Sequence, residues 1–141
     1  MEVINYGPWV YYAGEGSEDF DPDTCGKWMY EFDDYDLARD LCERAVEGGV
    51  VREAKHNAYP DPRYDHGICC FYIDGHDQEA HEEVISFLLD NDLVPRNASG
   101  KLEDIPFKYD WQTRAGLYDD DFVPEITLGD FIDLDTGEWR D

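Results

Sequence analysis

The stretch Gly26-Lys27-Trp28-Met29-Tyr30-Glu31-Phe32 alternates along its whole length. Successive side chains of a strand point to opposite faces, so Trp28, Tyr30 and Phe32 share one face while Lys27, Met29 and Glu31 share the other. The aromatic face is expected to be the core. Directly after it, residues 34–47 place Leu37, Ala38, Leu41, Cys42, Ala45 and Val46 at helical spacing. Asp33 or Asp34 supplies the N-cap and Gly48-Gly49 the stop. A strand feeding an amphipathic helix, with one face of the strand left outside the core, sets the terms for the rest of the chain.

Working outward, residues 8–13 (Trp9, Val10, Tyr11, Tyr12) read as a short strand, and the Gly- and Asp-rich residues 14–24 as a solvated loop. Residues 50–56 form the next candidate strand, ended by Tyr59-Pro60-Asp61-Pro62. Residues 66–74, nearly all apolar after His66, read as a central strand covered on both faces. Asp77 caps a second amphipathic helix to about Asp90, with Ala80, Val84, Ile85, Leu88 and Leu89 inward. Residues 105–111 and 113–118 give two further strands, followed by an irregular acidic cover. The order β, β, α, β, β, α, β, β predicts an α+β fold: a curved, mostly antiparallel sheet backed by two helices, its concave side left for a ligand.

At 141 residues, with 42% hydrophobic and 15% aromatic content, the chain is expected to fold as a single domain, 1–141. Its formal net charge of -24 excludes broad electrostatic capture of a nucleic-acid backbone, which needs Lys and Arg to displace counterions. The acids are dispersed along the chain, and lysine occurs only at positions 27, 55, 101 and 108. Two explanations of the charge compete: a halophilic protein whose acidic surface is screened in molar salt, and an acidic DNA mimic that blocks a nucleic-acid-binding partner. Dispersion favours the first. No apolar run is long enough for a membrane span and the first residues lack a signal-peptide pattern, so a cytoplasmic protein is expected. Cys25, Cys42, Cys69 and Cys70 contain no C-x-x-C pair and read as buried free thiols. The Asn97-Ala98-Ser99 sequon then carries no meaning.

The cations are placed differently from the anions. Lys27, Lys55, His66, Lys108 and Arg114 fall in or at the ends of five separate predicted strands. If those strands are neighbours, the five converge on one patch of sheet, and like charges at 4 to 6 Å cost about 1 to 4 kcal/mol at intermediate dielectric. An anion would offset that cost; so would local pairing with the many carboxylates. His76 and His81, five apart, do not share a helix face and read as exposed, with no metal site expected. Asp119-Asp120-Asp121 reads as surface acid, lacking the glycine and distal glutamate of a calcium loop.

Gly26-Lys27-Trp28-Met29, Ala54-Lys55-His56, His66-Gly67-Ile68-Cys69-Cys70-Phe71-Tyr72 and Phe107-Lys108-Tyr109-Asp110, bracketing the two helices, resemble the uncharacterised phosphothreonine-lyase-domain family, which shares the fold of the cap-binding translation initiation factor 4E. The resemblance spans about residues 25–128 and implies a curved antiparallel sheet backed by helices. Its label implies β-elimination of phosphate, which needs a base, an acid and a phosphate clamp. The inventory assigns Lys27 or Lys55 as base, His66 as general acid, and Lys108 with Arg114 as clamp; no cofactor is called for. The alternative is a noncatalytic module for a nucleotide or RNA end. Trp9, Tyr11 and Tyr12 offer stacking surface, and Trp111, followed by polar residues, is the preferred stacking residue. Expected partners are therefore a phosphorylated small molecule, peptide or nucleotide, with no membrane and no broad nucleic-acid surface; the oligomeric state is left open.

Overall fold

In the computed structural model, residues 1–117 and 121–140 are described. Seven strands form one antiparallel sheet: β1 (Glu2–Tyr6), β2 (Trp9–Ala13), β3 (Cys25–Phe32), β4 (Glu53–Asn57), β5 (Gly67–Asp74), β6 (Pro106–Tyr109) and β7 (Ile126–Thr127). Their spatial order is β1-β2-β4-β5-β3-β6-β7. Helix α1 (Tyr35–Glu47) follows β3, α2 (Gln78–Asp90) follows β5, and a short α3 (Asp110–Arg114) follows β6. The fold is α+β, a curved antiparallel sheet with α1 and α2 packed on one face, as the element order predicts.

The alternation of β3 sets that packing. Trp28 and Phe32 are fully buried with Phe71, Ala54 and Cys69 from neighbouring strands, against Leu41, Cys42 and Ala45 of α1 and Val84, Ile85 and Leu88 of α2. At roughly 1.5–3 kcal/mol for each fully buried large apolar side chain, this layer is the main source of stability. Helix α1 starts where Asp34 accepts hydrogen bonds from the backbone N–H of Asp36 and Leu37. Helix α2 starts at Asp77, whose side chain accepts from Ala80 N–H. All four cysteines are buried and free, Cys69 toward the helices and Cys70 on the opposite face.

Three expectations are corrected. Of the strand expected over 113–118, the described residues 113–117 do not form one: after β6 the chain turns into α3, because Gln112 accepts the Tyr109 backbone N–H at 3.1 Å and closes the first turn. Tyr118 lies outside the described residues, as do Asp119 and Asp120. Residues 2–6, unassigned in the sequence, add an edge strand to β2. His81 is not exposed: at 2% exposure it accepts the Trp28 indole N–H at 3.1 Å and bonds the Gly75 carbonyl at 2.9 Å. Burial pushes its pKa down, so the ring is neutral, with Nδ1 the acceptor and Nε2–H the donor. Among the described residues, no helix is long and apolar enough to cross a membrane.

Candidate functional site

The sheet face turned away from α1 and α2 carries the outward residues of β3 and their cross-strand partners. One row runs Tyr11, Lys55, Cys70, Met29 across β2, β4, β5 and β3. The next runs Ala13, Glu53, Tyr72, Lys27, Lys108 and continues onto β6. Three of the five singled-out cations, Lys27, Lys55 and Lys108, thus share this face. Lys27 and Lys108 stand directly opposite each other, a like-charge pair that sheets ordinarily avoid. Close approach of β6 depends on Gly26, where a Cβ would lie 2.6 Å from the Lys108 carbonyl oxygen.

The lysines have different surroundings. Lys27, 7% exposed, donates to Asp110 Oδ1 at 3.1 Å and Thr113 Oγ1 at 2.9 Å, so α3 lies over its ammonium. Lys108, 6% exposed, has its ammonium 5.1 Å from the Phe122 ring centre. Lys55 is held by rings: its Nζ is 3.9 Å from the centre of Trp9, 5.6 Å from Tyr11 and 5.7 Å from Tyr72. It has no hydrogen bond or ion pair with any described residue. Burial pushes the Lys55 pKa down and Lys27 adds to that, while Glu53, Cys70 and Asp110 act in the opposite direction. Burial raises the pKa of Glu53, Tyr11 and Tyr72, and takes the Cys70 thiol to about 11. The face therefore holds one half-buried, ring-caged ammonium, with the carboxylates of Glu53 and Asp110 acting on it from the next row and from α3.

His66 and Arg114 stand apart from this cluster. His66 precedes β5 and its Nδ1 meets Asp33 Oδ1 at 2.7 Å on the exposed rim, where that carboxylate raises its pKa. Arg114 ends α3 and donates to the Pro22 carbonyl at 2.9 Å, with Asp23 at 3.8 Å. Placed in a helix rather than a strand, it does not point along the lysine row. Trp111, 38% exposed, stacks on Tyr109 at 6.5 Å and 25° rather than on the lysine face.

No protein-family model matches the chain, and no curated protein matches it.

The aromatic groups that meet Lys55 are Trp9, Tyr11 and Tyr72, and of these Tyr72 has no stacking or binding role in the sequence reading. Strand parity carried through the pairing of β2, β4 and β5 would have found it, since Tyr72 faces Lys27 across β3–β5; the sequence does not reveal which strands pair. Tyr12, offered with Tyr11 for stacking, points into the core and hydrogen-bonds His56 Nε2 at 2.9 Å. Beyond Trp9, the face ends in a cavity of about 520 Å3 closed by the β4–β5 loop, with Tyr35, Tyr59 and Tyr64 in its walls.

Proposed function

We propose that the protein binds a phosphorylated ligand, of nucleotide or RNA-end type, on the lysine face of its sheet. One observation carries this reading: the Lys55 ammonium stands among Trp9, Tyr11 and Tyr72 with its three donors uncommitted among the described residues. A phosphate oxygen is a strong acceptor for such a group, and the rings beside it supply the flat surface on which a base stacks, at about 1–3 kcal/mol per base. Lys27 and Lys108 stand in the next row, which also carries Glu53, and Lys27 is paired with Asp110. The resemblance of residues 25–128 to the phosphothreonine-lyase-domain family implies an initiation factor 4E-like fold, and placing the ligand on the open face extends that expectation.

The arrangement supports binding more than elimination. The general acid proposed for a lyase, His66, is paired with Asp33 on the rim, and the clamp residue Arg114 is engaged by Pro22 and Asp23. Lys27, the alternative base, is committed to Asp110 and Thr113.

Calorimetric titration with inorganic phosphate and a nucleoside monophosphate tests the proposal. Lys55→Met is expected to weaken binding tenfold or more with its circular dichroism unchanged, whereas His66→Ala and Arg114→Ala stay within about twofold. Equal affinity in wild type and Lys55→Met overturns the site. Release of free phosphate from a phosphothreonine peptide, lost in Lys55→Met, would replace binding by elimination.

A further inference from the structure

The cavity at the end of the sheet has a chemistry opposite to that of the lysine row. Its walls combine the rings of Trp9, Tyr35, Tyr59 and Tyr64 with the carboxylates of Glu31 and Asp65. Tyr59 and Tyr64 are 58% and 67% exposed, an unusual outlay of aromatic surface on one loop. The cations on its rim are engaged: Arg63 is held by Asp61 at 2.7 Å with its guanidinium carbon 5.6 Å from the Tyr64 ring centre, and His66 is held by Asp33 at 2.7 Å, with Glu31 and Asp65 also raising its pKa. Glu31 and Asp65 have no hydrogen bond or ion pair with any described residue. Ring faces are electron-rich and attract cations, most of all weakly hydrated ones that give up water readily. Rings with carboxylates among them that no hydrogen bond or ion pair engages therefore favour a positive guest over a neutral or anionic one, and the net charge of -24 acts in the same direction. The volume of about 520 Å3 is within the ordinary range for small-molecule sites.

We infer that this cavity is a binding site for a small organic cation bearing a quaternary ammonium group, held between Tyr35 and Tyr59 and against the face of Tyr64 turned from Arg63, with Glu31 and Asp65 balancing its charge. The site does not rest on the phosphate reading. The two meet only at Trp9, one ring of which already carries Lys55, and the ammonium of Lys55 opposes a second cation nearby.

Choline and its uncharged isostere 3,3-dimethyl-1-butanol separate charge from shape. Titrations at fixed ionic strength, followed by tryptophan fluorescence and by upfield shifts of the N-methyl protons, are expected to show saturable choline binding at least tenfold tighter than the isostere. Tyr64→Ala and Glu31→Gln, both at exposed positions, are each expected to weaken it threefold or more. Lys55→Met is expected to leave choline binding intact or tighten it while weakening phosphate binding tenfold or more, so the two sites fail independently. Equal affinity for the isostere, tighter binding of uncharged adenosine than of choline, or no saturation by 50 mM choline would each overturn the inference.

Discussion

Asp110 decides how much of the lysine row a ligand can use. Its carboxylate holds the Lys27 ammonium at 3.1 Å and also accepts the Cys25 thiol at 3.6 Å, so a phosphate arriving at the face meets a competitor already seated. Replacing it by asparagine keeps the shape and removes the charge. Asp110→Asn is expected to tighten phosphate binding about three- to tenfold, read by calorimetry, and to cost on the order of 1–3 kcal/mol of stability from the nearly buried Lys27 left without a countercharge. Unchanged affinity would mean that the ligand never reaches Lys27. His81 is the second residue whose role has a measurable sign. Its folded pKa lies below the ordinary 6.5 because of burial among Trp28, Phe107 and Phe131, with Asp74 and Asp77 partly offsetting this. The unfolded chain therefore takes up the proton first, and stability present above about pH 6.5 is lost as pH falls below it. His56, also lowered by burial, contributes in the same direction, while His66, raised by Asp33, contributes in the other. His81→Gln is expected to flatten the fall in melting temperature between pH 6.5 and 5.5. His81→Phe should cost about 2–4 kcal/mol at pH 7.5, by stranding the Trp28 N–H and the Gly75 carbonyl. Lys27 could be assigned to the open face from the sequence because parity within one strand needs no partner. His81 is legible by the same kind of argument, since it lies three and four residues before Val84 and Ile85 on the buried stripe of α2, but its polar ring gives no sign that Trp28 and Gly75 satisfy it there.

Among the elements, the legible ones are those whose signals are local. Asp34 and Asp77 announce helices α1 and α2 within a residue of where they begin, and Gly48 ends the first. Asp34→Ala is expected to remove about 1 kcal/mol, a fall of roughly 3–5 °C in melting temperature, measured by calorimetry at neutral pH. A shift under 1 °C would show that α1 is fixed by packing alone. The misread element is α3. Residues 113–118 alternate well enough for a strand, yet the turn at Asp110 comes from Gln112, which spends its amide on Tyr109 N–H and on the Val123 carbonyl at 3.0 Å. That second bond joins residues eleven apart and has no local signature. The consequence reaches the site, because α3 brings Asp110 and Thr113 over Lys27 and carries Arg114 away from the lysine row.

For the molecule as a whole, 35 acidic against 11 basic side chains produce a field that works against both folding and phosphate capture. The core and the sheet order do not depend on that field, which is why composition revealed the charge without revealing the site. Three of the four lysines lie on one face of the sheet, together with Glu53 and Asp110, so cations are concentrated there against the long-range field of the whole chain. Salt separates the two by distance. The Debye length falls from about 10 Å at 0.1 M to about 3 Å at 1 M, which screens repulsion among dispersed surface carboxylates while leaving contacts at hydrogen-bond distance largely intact. The melting temperature is therefore expected to rise by several degrees between 0.1 and 1 M KCl. Phosphate affinity, measured over the same range, is expected to stay level or increase, in contrast to the steady loss seen where lysines dominate at every distance. Repulsion of an incoming dianion by the whole surface is relieved by salt more than its contact with Lys55 is weakened. A steep, monotonic fall in affinity would show that the ligand senses the lysine face alone, and a melting temperature unmoved by salt would show that the acidic surface does not oppose folding.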